Sequence, residues 1–418
     1  MADSIKADLL QAGNPCEVPG RRSVACLDGA RQIGKCEEKG LLFMKRRAFI
    51  QGAAGSLMAW PLASAWGQDY QQQANGSRTI IYTENEQLGA LADDRRVDLL
   101  ELFKDAEEFH KLGLPFPDPH SPIYDTWQRI FRPPLAFMVE PEDVSEELAD
   151  YQLNPNVVPT QAPIITTRWE TSGNWSGAYI EPRNDTVFSE VSAHWTIPDL
   201  SMVPKPNVTH SSSIWVGLDG QRLYFNSSLP QIGTTQAIDK NGNIDYHAWY
   251  QWWARNQTNP RPHRIKVFSI SAGDEIFSHV QTVNATHVIV SIAKLNPPKQ
   301  FWSRKRRAPI YLAGPYINDH PKISGATAQW VVERPTKLNT DDLIPLVDYG
   351  RVDFRRCWAS VAPEPGAPAA GYQTLDGARF IRMYERRNKP ARIAMISSPL
   401  RRLMTDRPEA FKVAYQVR

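Results

Sequence analysis

From about Arg168 onward the chain is written in short segments of alternating apolar and polar residues, cut by Gly, Pro, Asn and Asp. A two-residue period belongs to strands with one face on a core. Residues 174–181, 187–197, 212–218, 245–253, 275–283, 287–295, 327–334, 380–384 and 411–417 all read as strands. Roughly a dozen strands without intervening helices predict an all-β fold, a two-sheet antiparallel β-sandwich of the lectin-like kind. The stretch 297–321, rich in Pro and basic residues, reads as a long loop between strands.

The chain before Arg168 is different. Residues 66–90 are polar and read as flexible. Residues 91–112 take a helical period through Val97, Leu100, Phe103, Ala106 and Phe109, with Gly113 and Pro115 as stop signals. Residues 115–163, acidic and proline-rich, read as an extended strap with little core of its own. Residues 66–164 hold 7 Lys and Arg against 18 Asp and Glu, while residues 165–418 hold 32 against 21, so the net charge of +3 conceals opposite halves. Such halves attract within a Debye length of about 10 Å. One reading is an acidic linker beside an unrelated basic domain; the sharper one is an acidic prosegment, residues 66–165, masking a basic catalytic domain, residues 166–418. The basic run Arg304-Lys305-Arg306-Arg307 comes with no nucleic-acid-binding motif and reads as a solvated loop.

Met44-Lys45-Arg46-Arg47 opens an apolar stretch that ends at Ala63-Ser64-Ala65. A basic start, an apolar middle and a small-x-small end describe an export signal over residues 44–65. Arg46-Arg47 followed by x-Phe-Ile resembles a twin-arginine signal. The stretch is too weakly apolar for a lasting membrane span. Residues 1–43 then read as a mis-assigned upstream extension. They hold Cys16, Cys26 and Cys36, which leaves Cys357 as the one mature cysteine and excludes an internal disulfide.

In residues 327–334 the strand period puts Thr327, Gln329, Val331 and Glu333 on one face, and Ala328, Trp330 and Val332 on the other. In residues 246–253 it groups His247, Trp249, Gln251 and Trp253. Aromatic and polar groups sharing a sheet face suit an extended peptide or a sugar. There is no Gly-x-Ser-x-Gly elbow and no clustered metal-ligand spacing, so neither an ordered triad nor a metal is indicated, and no cofactor is expected. Asp219-Gly220 reads most simply as a turn that ends a strand.

Five motifs, Asn174-Trp175-Ser176-Gly177, Trp215-Val216-Gly217-Leu218-Asp219-Gly220, Leu229-Pro230-Gln231-Ile232-Gly233, Tyr246-His247-Ala248-Trp249-Tyr250 and Gln329-Trp330-Val331-Val332-Glu333, occur in the order seen in the glutamic peptidases, or eqolisins. The resemblance covers roughly residues 168–418. It implies a sandwich of two seven-stranded antiparallel sheets, synthesis with a propeptide, and a catalytic pair that falls on Gln231 and Glu333. Trp175, Trp215, Asp219 and Trp249 match positions that line or support the cleft. Where fungal members tend to carry carboxylates this chain has His247, Gln251 and Gln329, all within the expected substrate-binding set. Fewer acids around Glu333, and a cationic His247, would extend activity into milder acid. The function implied is an exported, acid-acting endopeptidase on polypeptides, made as a zymogen whose prosegment inhibits it. A non-enzymatic carbohydrate- or peptide-binding sandwich is the second reading; it accounts for Trp249, Trp252 and Trp253 but gives Gln231 and Glu333 no role.

Overall fold

The computed structural model describes residues 105–131, 145–153, 169–200, 207–221, 228–254, 261–295, 322–388, 391–400 and 408–416, of which 386–388 and 391–393 by the backbone alone, and for residues 79–83, 135–139 and 310–317 likewise the backbone alone. The export signal, the residues upstream of it with their three cysteines, residues 91–104 and the run 304–307 lie outside the described residues. The first strands are β1 (Thr79–Thr83), β2 (Leu135–Val139), β3 (Ser145–Glu147), β4 (Tyr151–Gln152) and β5 (Trp169–Ser172), with helices α1 (Ala106–Lys111) and α2 (Tyr124–Phe131) between β1 and β2. Then come β6 (Trp175–Ile180), β7 (Val187–Thr196), β8 (His210–Leu218), β9 (Ser228–Ile238), β10 (Ile244–Ala254) and β11 (His263–Ile265). Next are β12 (Glu275–Asn284), β13 (His287–Lys294), β14 (Ile310–Ile317), β15 (Ala328–Glu333) and β16 (Thr336–Lys337). The last are β17 (Arg351–Ala362), β18 (Gly371–Gln373), β19 (Arg379–Asn388), β20 (Ala391–Pro399) and β21 (Phe411–Tyr415).

The strands form two layers. One layer runs β20-β19-β6-β15-β8-β9-β10-β11-β3. The other runs β18-β17-β7-β12-β13-β14-β1-β2. Strand β17 belongs to both: Arg351–Phe354 pair with β21 of the first layer, and residues from Arg355 onward pair with β7 of the second. The crossing is made at Arg356, which has φ +50°, and the register shifts between Arg355 and Trp358. A bulge of this kind bends a strand sharply enough to change sheets. Pairing is antiparallel except for β1 with β2 and β14, and β5 with β19.

Between the layers, the inward residues of alternating strands form one core that includes Trp195, Val216, Ile232, Ala248, Trp330, Phe354 and the free Cys357. Burial pushes the Cys357 thiol well above its ordinary pKa, which suits a packing role.

Three readings of the N-terminal half and the inserted loop are corrected. Residues 115–163 are more than a strap, because α2 lies within them. Phe109, Leu114, Trp127 and Phe131 form a core of their own with Phe277 and Ala293 of the second layer, and Trp127 Nε1 donates to Pro115 O at 2.6 Å. The many prolines mask this helix, whose apolar residues come four apart as Trp127 and Phe131. Residues 66–90 are not wholly free of structure, since β1 pairs with β14 and β2. The expected loop 297–321 contains β14, hidden by Gly314-Pro315 within it.

Helix α1 is shorter than the helical period over residues 91–112 predicts, because Asp105 is extended (φ −136°, ψ 164°) and starts it afresh. Asp105 caps it by accepting from Glu108 N at 2.9 Å, and Gly113, with φ +72°, closes the turn. Among the described residues no helix is long and apolar enough to cross a membrane, and no group of three or more His, Cys, Asp or Glu is arranged to hold a metal ion.

Candidate active site

The outer face of the first layer carries the candidate residues in three rungs. Cross-strand register aligns Gln251, Gln231, Gly217, Gln329 and Tyr179 on one rung, and Trp249, Gly233, Trp215, Val331 and Gly177 on the next. The third holds His247, Thr235, Ser213, Glu333 and Trp175. Directly opposed residues of neighbouring strands share a face, so the period read from the sequence brings eight of the nine candidates together. Gln231 and Glu333 flank Trp215 diagonally, on strands to either side of β8. Glycine at position 233 is required beside that tryptophan, because a Cβ there would sit 2.5 Å from Trp215 Cβ.

Asp219 is placed elsewhere. It ends β8 with φ +62°, and its buried carboxylate accepts from Ser324 N (2.7 Å), Ser324 Oγ (2.9 Å) and Ala326 N (2.7 Å). It therefore fixes the loop that leads into β15, the strand whose far end carries Glu333. Burial raises its pKa against the pull of these donors.

Both oxygens of Glu333 are held. Trp215 Nε1 donates to Oε2 at 2.8 Å, and Asn174 Nδ2 donates to Oε1 at 3.2 Å. Asn174 is itself oriented: Ser172 Oγ donates to its Oδ1 at 3.1 Å, which turns the amide hydrogens toward Glu333. Its carbonyl also accepts from Arg334 N at 2.7 Å, tying the end of β15 to the turn before β6. Donors of this type bond more strongly to a carboxylate than to its neutral acid. Gln231 Nε2 donates to Gln251 Oε1 at 2.9 Å, so Gln251 fixes the orientation of that carboxamide.

Four polar atoms of this face, Gln231 Oε1, Gln329 Oε1, Trp175 Nε1 and Trp249 Nε1, are buried without a hydrogen-bond partner. Native proteins rarely leave buried polar groups unpaired, and a cluster of them marks a surface built for something else to bond. The face is also covered. Glu333 is 1% exposed and Gln231 is 0% exposed. The cover is Leu148, Tyr151 and Leu153, which pack with Trp175, Trp215, Trp249, Trp253 and Val331. It is held by β3 pairing with β11, by β4 pairing with β16, and by Leu148 N donating to Pro262 O at 2.9 Å.

His247 Nδ1 lies 2.6 Å from Asp245 Oδ2, yet burial outweighs that partner and lowers its pKa, which disfavours the cationic form expected there. Asn174, Thr235 and Tyr151 were given no role by sequence reasoning. Thr235 was accessible to it, being two and four positions beyond Gly233 and Gln231 on one strand face.

The model of the Peptidase A4 family matches residues 173–397, more than half of the chain. The chain belongs to the Peptidase A4 family. It is accordingly a peptide hydrolase of the glutamic-peptidase kind. Among solved structures, Scytalido-glutamic peptidase with a peptide-based transition state analog is 18% identical, with 58% of this chain and 98% of that chain covered and a TM-score of 0.41. SCP-B, a member of the Eqolisin family of peptidases in complex with the tripeptide Ala-Ile-His, gives the same 18%, 58%, 98% and 0.41. No curated protein sequence matches the chain.

Proposed function

We propose that the chain is an exported, acid-acting endopeptidase in which Glu333 is the general base and Gln231 steadies the oxyanion. The ionised carboxylate takes a proton from a water as that water attacks the peptide carbonyl, then passes it to the leaving amine. The second hydrogen of Gln231 Nε2, beyond the one given to Gln251, is available to the developing oxyanion. One such donor is worth about 3–4 kcal/mol in the transition state. No covalent intermediate is needed. The observation that carries this reading is the set of buried, unpartnered polar atoms that surrounds a carboxylate held by two donors.

Residues 66–165 act, on this reading, as the inhibitory prosegment, with Leu148–Leu153 in the place of substrate. Acid favours their release in two ways. It neutralises the carboxylates of the acidic segment, and it charges His247, whose pKa burial lowers in the covered state. A group with a lowered pKa in the covered state supports that state above its ordinary pKa and opposes it as pH falls.

The test is incubation of the full chain with denatured casein at several acidic pH values, beside the Glu333→Gln variant. Proteolysis by the wild type and none by the variant is expected. Equal proteolysis by both would remove Glu333 from the chemistry.

A further inference from the structure

The apolar contacts of Leu148, Tyr151 and Leu153 on the outer face would be made about as well by phenylalanine in the middle position. The Tyr151 hydroxyl is a different matter. It lies 2.8 Å from His247 Nε2 and 2.9 Å from Thr235 Oγ1, on a buried side chain. Arg264 holds Asp245 through Nη2 at 3.0 Å and Nη1 at 3.3 Å, and Asp245 in turn faces His247 Nδ1. A carboxylate only accepts, so Nδ1 carries the imidazole proton and Nε2 is left as an acceptor.

The remaining roles then follow. Tyr151 donates to His247, so its oxygen is free to accept from Thr235, whose own oxygen accepts from Ser213 Oγ at 2.6 Å. The Tyr151 and Thr235 hydroxyls each both give and receive. A group that donates to one wall and accepts from the other, at the end of a flat ring, is a phenol. Thr235 and Ser213 are on the same rung as Glu333, so this pocket lies level with the carboxylate and beside it.

We infer that Thr235 and His247 form a substrate subsite that selects tyrosine over phenylalanine, and that Tyr151 occupies it while residues 145–153 cover the face. The inference rests on the reading of this face as the peptidase cleft. A phenylalanine in the pocket would leave His247 Nε2 without a donor and Thr235 Oγ1 with Ser213 alone. Sites built to bond a hydroxyl discriminate strongly against the analogue that lacks it, here by at least about tenfold.

Two measurements on the full chain test it. In the first, casein digested at acid pH is mapped by mass spectrometry. Tyrosine is expected at one fixed position relative to the cut at least about tenfold more often than phenylalanine, corrected for abundance, and Thr235→Val is expected to lower that ratio while the His247 acceptor remains. Equal use of the two residues at every position would overturn the inference and leave the peptidase reading standing. The second needs no catalysis. Amide hydrogen exchange across residues 145–153 is compared between the wild type and Tyr151→Phe, with exchange in the variant expected to be about tenfold faster. An unchanged exchange rate would overturn the pocket. If casein were not cut at all, the peptidase reading would fall, and exchange alone would decide whether the hydroxyl site exists.

Discussion

Replacing Trp215 with Phe removes one of the two donors on Glu333 while keeping an aromatic ring in its place. The bond lost is the shorter of the pair, 2.8 Å against 3.2 Å from Asn174. A hydrogen bond to a charged group contributes about 1.5–3 kcal/mol, and a tenfold change in protonation corresponds to about 1.4 kcal/mol. Complete loss would therefore move the acid limb of the pH–rate profile upward by about one to two pH units. Water entering the vacated space recovers part of the bond, which sets the expectation at about one pH unit. The sign follows from the proposed chemistry: a general base at Glu333 works as a carboxylate, a less supported carboxylate takes its proton at higher pH, and the rate falls away sooner on acidification. The substitution also disturbs the edge-on contact between Trp215 and Trp175, at 5.2 Å between ring centroids. Overall activity is therefore a poor readout, and the position of the limb is the quantity to compare. Initial rates of casein hydrolysis across the acid range supply it. An acid limb that stays in place, in a variant whose folding is verified, would refute the claim that Trp215 holds the base in its ionised form.

Two further outcomes follow from buried groups. Asp219→Ala strips the partners from two backbone N–H groups and puts alanine at φ +62°; the expected loss is about 3–5 kcal/mol, read from the urea midpoint, and a loss under about 1 kcal/mol would contradict the role given to that carboxylate. His194 is buried beside Arg355 and Arg356, and burial first, then these cations, push its pKa down to about 3. Its folded pKa lies below its ordinary value of 6.5, so the fold keeps this contribution above that pH and loses it as pH falls toward 3. Between neutral pH and pH 4 the wild type should lose on the order of 3 kcal/mol more than His194→Phe in urea unfolding, and parallel losses in the two proteins would refute the assignment.

Much of the candidate site was legible because a strand repeats every two residues. That period alone sorted Gln329 and Glu333 from Ala328, Trp330 and Val332, and His247, Trp249 and Gln251 from Tyr246, Ala248 and Tyr250. The structure puts the second members of each pair of sets in the core between the layers, with Tyr246 half-buried against its edge. Strand β17 escaped the same reasoning because its period breaks at Arg356, where the chain changes sheets. Helix α2 escaped because Pro and acidic residues dominate its surroundings, while the surface it covers, at Phe277 and Ala293, lies far along the chain.

By itself, then, the order of residues determined the all-β character, the faces of the strands and the motifs that place the chain among the glutamic peptidases. These are local properties, set by a period of two and by the residue types at turns. It did not determine that Asn174 and Trp215 share the two oxygens of Glu333, that Asp219 serves the loop before β15, or that Leu148–Leu153 lie over the site. Those depend on the register between strands and on segments separated by scores of residues. Only closure of the sheets, with every buried donor seeking an acceptor, decided them.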